Sequence, residues 1–177
     1  MTYIGNNDYS SDTLLNDASW STSIANSTYF DKVLKPLIPT MTSNTSSNGV
    51  ASSTRYFSDR YPWKAFDGDD NTFFEIAYTQ GQIGDYLQYT FNSPVQLRAY
   101  SFYSYGLGVS GTVTLNIIGI KEDNTEITLD TIQLPNSPVT VFKLTSFETI
   151  KAIKVVMAST TQYNQMTVST LQFYGRQ

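Results

Sequence analysis

Neither cysteine nor histidine occurs among the 177 residues. The first absence removes disulfides, thiolate nucleophiles and Cys-based zinc sites together. The second removes every His-based triad, the usual general base near neutral pH and most transition-metal sites. No run of about eighteen apolar residues is present, so no segment reads as a membrane-spanning helix. The N-terminus, Met1 to Asp8, has neither a basic stretch nor an apolar one behind it, so a Sec-type signal peptide is not expected. The chain is expected to be cytosolic, or to leave the cell by another route such as assembly into a phage particle freed by lysis. Basic residues are few and scattered from Lys32 to Arg176, and the formal net charge is −4. Without a basic footprint to neutralise phosphates, neither nucleic acid nor an anionic membrane is an expected partner.

What is present is apolar and aromatic. A 40% hydrophobic fraction with 14% aromatics is ample for one core. Residues 1–38 are rich in Ser, Thr, Asn and Asp, interrupted by Leu14-Leu15, Trp20, Tyr29-Phe30 and Val33-Leu34. Ser11-Asp12 is a cap for a short helix through Ala18, and Ser27-Thr28 for another through Lys35. Pro36 and Pro39 close this stretch. Its large apolar side chains are costly to leave in water, so 1–38 reads as an attachment arm and 39–177 as the domain proper.

From about residue 40 the period becomes two. Leu87, Tyr89 and Phe91 alternate with Tyr86, Gln88 and Thr90, and Val113, Leu115 and Ile117 with Thr112, Thr114 and Asn116. Ile127-Leu129, Ile153-Val155-Met157 and Val168 to Phe173 continue the pattern. Turn signals fall at Asn92-Ser-Pro94, Glu122-Asp-Asn124, Pro135-Asn-Ser-Pro138 and Thr160 to Gln165. Such spacing predicts an all-β sandwich or jelly roll, with the hairpin Thr112–Ile120/Thr125–Leu134 its most regular element.

One segment, Tyr61 to Glu75, breaks the alternation with a turn of helix after Pro62, an oxygen-rich loop and then aromatics. Lys64-Ala-Phe-Asp-Gly-Asp69 and Thr72-Phe-Phe74 resemble a motif of the discoidin, or coagulation-factor type C, domains and the related carbohydrate-binding modules of the galactose-binding-like fold. Met41-Thr-Ser-Asn44, Gly84 to Phe91 and Val168 to Gly175 resemble the family's opening, middle and closing strands. The resemblance spans about residues 40–176 and implies a galactose-binding-like jelly-roll β-sandwich. The family's two tryptophans fall at Phe74 and Tyr86, and its last-strand acidic residue at Thr170.

The resemblance implies a structural calcium ion, which takes six to eight oxygens. Its ligands would be the carbonyls of Lys64, Asp69 and Ser169, the carboxylate of Asp67, and both oxygens of Thr72. Thr170 brings no charge to that set. The alternative is a loop held by Asp67 accepting backbone N–H bonds.

Sugar binding needs flat apolar faces and planar polar groups, which aromatics and Arg, Asn or Glu in loops supply. The resemblance puts such a site on loops at one end of the sandwich. The candidates are Arg60, Glu75, Tyr78, Tyr103, Tyr105, Tyr163 and Asn164, with Arg55 to Phe57 and Asp59 nearby in sequence. No basic residue matches the galactose binders between Tyr103 and Gly111, so that family pocket is not reproduced. With 13 Tyr, 10 Phe and 2 Trp, most aromatics must be scaffold.

Paired carboxylates are available for glycosidase chemistry among Asp59, Asp67, Asp69, Asp70, Glu75 and Asp85, but a loop role accounts for Asp67 and Asp69 more simply. A non-catalytic binding module is expected, in a phage tail, fibre or capsid-decorating protein that recognises a cell-surface carbohydrate. The alternative is a structural virion protein without sugar binding. Either would sit at a virion or extracellular surface, as a homo-oligomer or bound to another virion protein. Lipid binding through Tyr56-Phe57 and Leu107 fits the acidic balance least.

Overall fold

The computed structural model describes residues 35–104, 111–135, 139–144 and 148–176. Its strands are β1 (Lys35–Pro36), β2 (Thr45–Ser46), β3 (Gly49–Ser53), β4 (Phe74–Ile76), β5 (Tyr86–Ser104), β6 (Thr112–Ile120), β7 (Glu126–Pro135), β8 (Val139–Leu144), β9 (Thr149–Thr160), β10 (Met166–Val168) and β11 (Thr170–Arg176). A single 3₁₀ turn, Pro62–Ala65, is the one helical element among the described residues. All pairings are antiparallel. The architecture is the jelly-roll β-sandwich that the alternation predicts.

Period-two patterning becomes burial directly. Along β6 every second residue, Val113, Leu115 and Ile117, is buried and its neighbours are half-exposed. The expected β6/β7 hairpin forms, with Thr112 opposite Pro135 and Ile120 opposite Glu126. Tyr89, Tyr100, Phe74, Phe102 and Phe173 are the largest fully buried side chains. Two of these phenols reach polar partners, as buried hydroxyls must. Tyr89 Oη shares a hydrogen bond with Ser46 Oγ (2.8 Å), and Tyr100 Oη donates to Asp130 Oδ2 (2.7 Å).

The expected turn at Asn92-Ser-Pro94 is instead a bend within one 19-residue strand. Before it, β5 pairs with β3 and β9; after it, with β9 for two more residues and with β11 and β8. Residues 91–94 stand where β9 offers only Lys151, between the pairs Thr90–Ala152 and Val95–Ile150. Three consecutive exposed residues, one of them a proline without an N–H, let the strand bulge here without stranding a buried donor.

The four residues before the boundary expected at residue 39 join the sandwich. Lys35 and Pro36 pair with Gly175 and Tyr174, and Leu37 and Ile38 are fully buried. Leu37 N–H donates to the Phe173 carbonyl (2.8 Å), and Gln172 Nε2 donates to the Ile38 carbonyl (3.1 Å). Residues 35–38 are thus core and edge strand, not arm. The proposed helices and anchors of residues 1–34 lie outside the described residues. Among the described residues no helix is long and apolar enough to cross a membrane.

Candidate functional site

The loops at one end of the sandwich are tied to the core by short elements. The 3₁₀ turn buries Pro62 and Ala65, and Phe66 packs edge-on against Tyr89 at 5.5 Å between ring centroids. Phe74, at the family's tryptophan position, is fully buried and anchors the far end of the same loop. Tyr86, at the other tryptophan position, is only half-buried, with Lys154 Nζ 5.0 Å from its ring centroid. Alternation with buried Leu87 turns it outward.

Between Phe66 and Phe74 the acidic loop closes on itself. Asp67 Oδ1 accepts the Asp69 N–H (3.0 Å), and Asp67 Oδ2 accepts the Thr72 hydroxyl. Gly68 sits at φ 71°, a left-handed conformation that glycine adopts without strain. Asn71 donates to Asp69 Oδ1 from its main chain and side chain, both at 2.9 Å, and these bonds hold the Asp69 carboxyl below its ordinary pKa. Thr170, at the family's acidic position, donates its hydroxyl to Asp70 Oδ1, so a carboxylate reaches that place from the loop side. Ser169 is fully buried and its Oγ lacks a partner. The donors of Asp67, the Asp69 carbonyl and Thr72 are all oxygens in one hydrogen-bonded network, a set that suits a hard cation. No cluster of three acidic side chains spaced for a metal ion occurs among the described residues. As it stands, the loop is closed by Asp67 in the manner of an Asx-turn.

Beside this loop lie three segments, 54–61, 73–85 and 160–165. Strand β4 pairs with β10, setting Glu75 opposite Thr167, while the Phe57 N–H donates to the Glu75 carbonyl (2.9 Å). Because Phe74 and Ile76 fill the core, alternation turns Glu75 the other way, where Gln165 Nε2 donates to its Oε1 (2.8 Å). Gln165 is itself buried, and its Oε1 has no partner. The carboxylate can only accept, so it fixes which end of that amide faces it. Above this pair Tyr78 and Tyr163 meet edge-to-face, 5.6 Å between centroids, yet remain 52% and 40% exposed. A second exposed pair, Tyr56 and Tyr61, packs at 5.1 Å with Phe57 exposed beside it.

Salt bridges brace the same end. Asp85 is buried and bonded by Arg55 Nε (3.0 Å) and by the Gln82 N–H (2.7 Å), while Arg55 Nη1 donates to the Gln80 carbonyl (2.7 Å). Arg60 lies 3.9 Å above the Phe73 ring and 3.8 Å from Asp59, which also faces Lys64 at 3.6 Å. Asn164 accepts from the Thr160 hydroxyl (3.1 Å), and its carbonyl abuts Gly81, where any Cβ would come within 1.8 Å of it.

Of the residues expected for sugar binding, Glu75, Tyr78, Tyr163 and Asn164 therefore come together, and Arg60 stands near them over Phe73. Tyr103 does not join them. It is a strand residue of β5, opposite Thr170 and Thr140, because burial of Phe102 and Ser104 carries the alternation through it. Tyr105 lies outside the described residues. No local pattern points to Gln165, whose partner Glu75 is 90 residues away.

No protein-family model matches the chain, and no curated protein does. Solved structures do. The family 32 module of Clostridium perfringens NanJ, in complex with galactose, superposes with a TM-score of 0.55 over 71% of this chain and 93% of that one, at 15% identity. The chain has the fold of a family 32 carbohydrate-binding module. The same module fold covers 70% of this chain and 92% of the family 32 module of AlyQ, solved with 4,5-unsaturated mannuronic acid (TM-score 0.55, 11% identity). The C-terminal domain of a chitobiase from Bacteroides fragilis matches at TM-score 0.58 and 12% identity, over 71% and 93% of the two chains. At these identities the likeness is one of fold. The module's own residues must supply the case for a ligand.

Proposed function

We propose that the chain is a non-catalytic carbohydrate-binding module whose site is the loop end around Glu75, Tyr78, Tyr163 and Asn164. The observation that carries this reading is the Tyr78–Tyr163 pair, two large rings left exposed beside a hydrogen-bonded carboxylate and amide. Exposed aromatic faces stack on the C–H faces of a pyranose, and planar polar groups bond its hydroxyls. Fold relatives solved with sugars bound support the same reading. A glycan array with the full chain tests it. Specific binding that Tyr78→Ala and Tyr163→Ala each remove, with the fold intact by circular dichroism, is the expected result. Silence across the array refutes it.

Calcium belongs to the proposal as a structural ion of the 64–72 loop, held by Asp67, Thr72 and the carbonyls of Lys64, Asp69 and Ser169. The all-oxygen donor set supports it.

The setting we propose is a virion or extracellular surface, the module recognising a cell-surface glycan. Residues 1–34 would attach it to identical copies or to a neighbouring virion protein. Trp20, Tyr29, Phe30 and Leu34 support this, since burial of each would contribute roughly 1.5–3 kcal/mol. Light scattering on the full chain and on a 35–177 fragment decides it: equal monomers mean that this segment does not drive self-association. Retention on virion particles by the full chain only is the outcome expected for docking on a neighbour.

A further inference from the structure

We infer that this site takes a neutral glycan and discriminates against uronic-acid polymers. The inference deepens the carbohydrate reading above and rests on it. Three observations on the same loops carry it.

The first is the sign of the available hydrogen-bonding groups. Glu75 is half-exposed and, ionised, is acceptor-only; one oxygen takes the Gln165 amide and the other retains its lone pairs. Gln165 Oε1, buried without a partner, is a second acceptor directly behind it. Acceptors call for donors. Sugar hydroxyls donate, whereas a uronate carboxylate only accepts and would set like charge against Glu75.

The second is that the cations at this end are already engaged. Arg55 is bonded to buried Asp85 and to the Gln80 carbonyl. Arg60 and Lys64 share Asp59, and Arg60 also covers Phe73. The three cations meet Asp59 and Asp85, and with Glu75 counted the six side chains sum to zero. The adjoining loop adds Asp67, Asp69 and Asp70. No positive field is left to draw in a polyanion.

The third is that the exposed surface over Glu75 is aromatic. Tyr78 and Tyr163 present rings and phenol hydroxyls, groups that meet a neutral ring face and need no counter-charge.

The test is calorimetric titration of the full chain with two matched sets. One set is neutral galacto-, gluco- and N-acetylhexosamine oligosaccharides; the other is oligogalacturonate and oligomannuronate. At least one neutral oligosaccharide is expected to bind about tenfold or more tightly than either uronate, a ratio equivalent to ~1.4 kcal/mol. Glu75→Gln keeps the shape and removes the charge, and should narrow that ratio by improving uronate binding. Asp59→Asn releases Arg60 and Lys64 and should act in the same direction, with an effect that fades at high salt. Uronates binding as tightly as the neutral set would overturn the inference while leaving carbohydrate binding in place. Binding of neither set would overturn the carbohydrate reading itself, and this inference with it.

Discussion

Leu37→Ala in the full chain measures whether residues 35–38 belong to the sandwich. Leu37 is fully buried beside Gly175, its N–H bonds the Phe173 carbonyl, and its own carbonyl accepts from Asn48 Nδ2 (2.5 Å). The substitution leaves those main-chain bonds in place and removes only core volume, so the expected cost is about 2–5 kcal/mol. A domain of this size loses roughly 2–4 °C of Tm per kcal/mol, which places the shift at about 4–20 °C. Val50→Ala is the control: Val50 is 43% exposed and its truncation should stay within about 0.5 kcal/mol. Deleting residues 1–38 would remove Ile38 and the edge pairing as well. That larger loss is opposed by about 1–2 kcal/mol of backbone entropy for each residue no longer ordered, so the point variant is the cleaner measurement. Urea and thermal unfolding followed by circular dichroism give both numbers. A Leu37→Ala protein no less stable than Val50→Ala would refute the buried position of this strand.

Three further outcomes are expected. Calcium should raise Tm by mass action, by about 2.7 kcal/mol of stabilisation at a hundredfold excess over Kd, and Asp67→Asn should abolish the effect; an unchanged Tm with calcium and with chelator removes the ion from the loop. Burial, with help from the adjacent Asp130 carboxylate, pushes the Tyr100 phenol far above its ordinary pKa. The unfolded chain therefore releases a proton that the folded one keeps, and stability should fall as pH rises past about 10, by up to ~1.4 kcal/mol per pH unit. Tyr100→Phe should flatten part of that slope, leaving the share of Tyr89, which burial also raises; an unchanged slope in the variant contradicts the assignment. Gly81→Ala would drive a methyl into the Asn164 carbonyl, costing about 1–3 kcal/mol and parting the Tyr78 and Tyr163 rings. Ring-proton shifts report the parting, and spectra identical to those of the parent protein would show that the two loops are not in contact.

Strand existence was legible in the sequence because a strand's two faces demand opposite chemistry at every step. Val113, Leu115 and Ile117 can only point one way once one of them is core, so the β6/β7 hairpin follows from local pattern. The Ala-Phe-Asp-Gly-Asp segment, which breaks the alternation, was legible through its resemblance to a family motif, and in the fold Ala65, Phe66 and Phe74 are core with the polar residues between Phe66 and Phe74 left as loop. Pattern failed where local cues and tertiary context disagree. Asn92-Ser-Pro94 carries every mark of a turn, yet β9 pairs with the strand on both sides of it, so the chain bends without reversing. Pro36 looked like the close of an arm, and only the exposed edge of β11 made it a strand. The grouping of Glu75 with Gln165, and of Tyr78 with Tyr163, was the work of the tertiary structure alone. Each pair joins segments more than eighty residues apart, and no periodicity in one segment encodes the partner that folding brings to it.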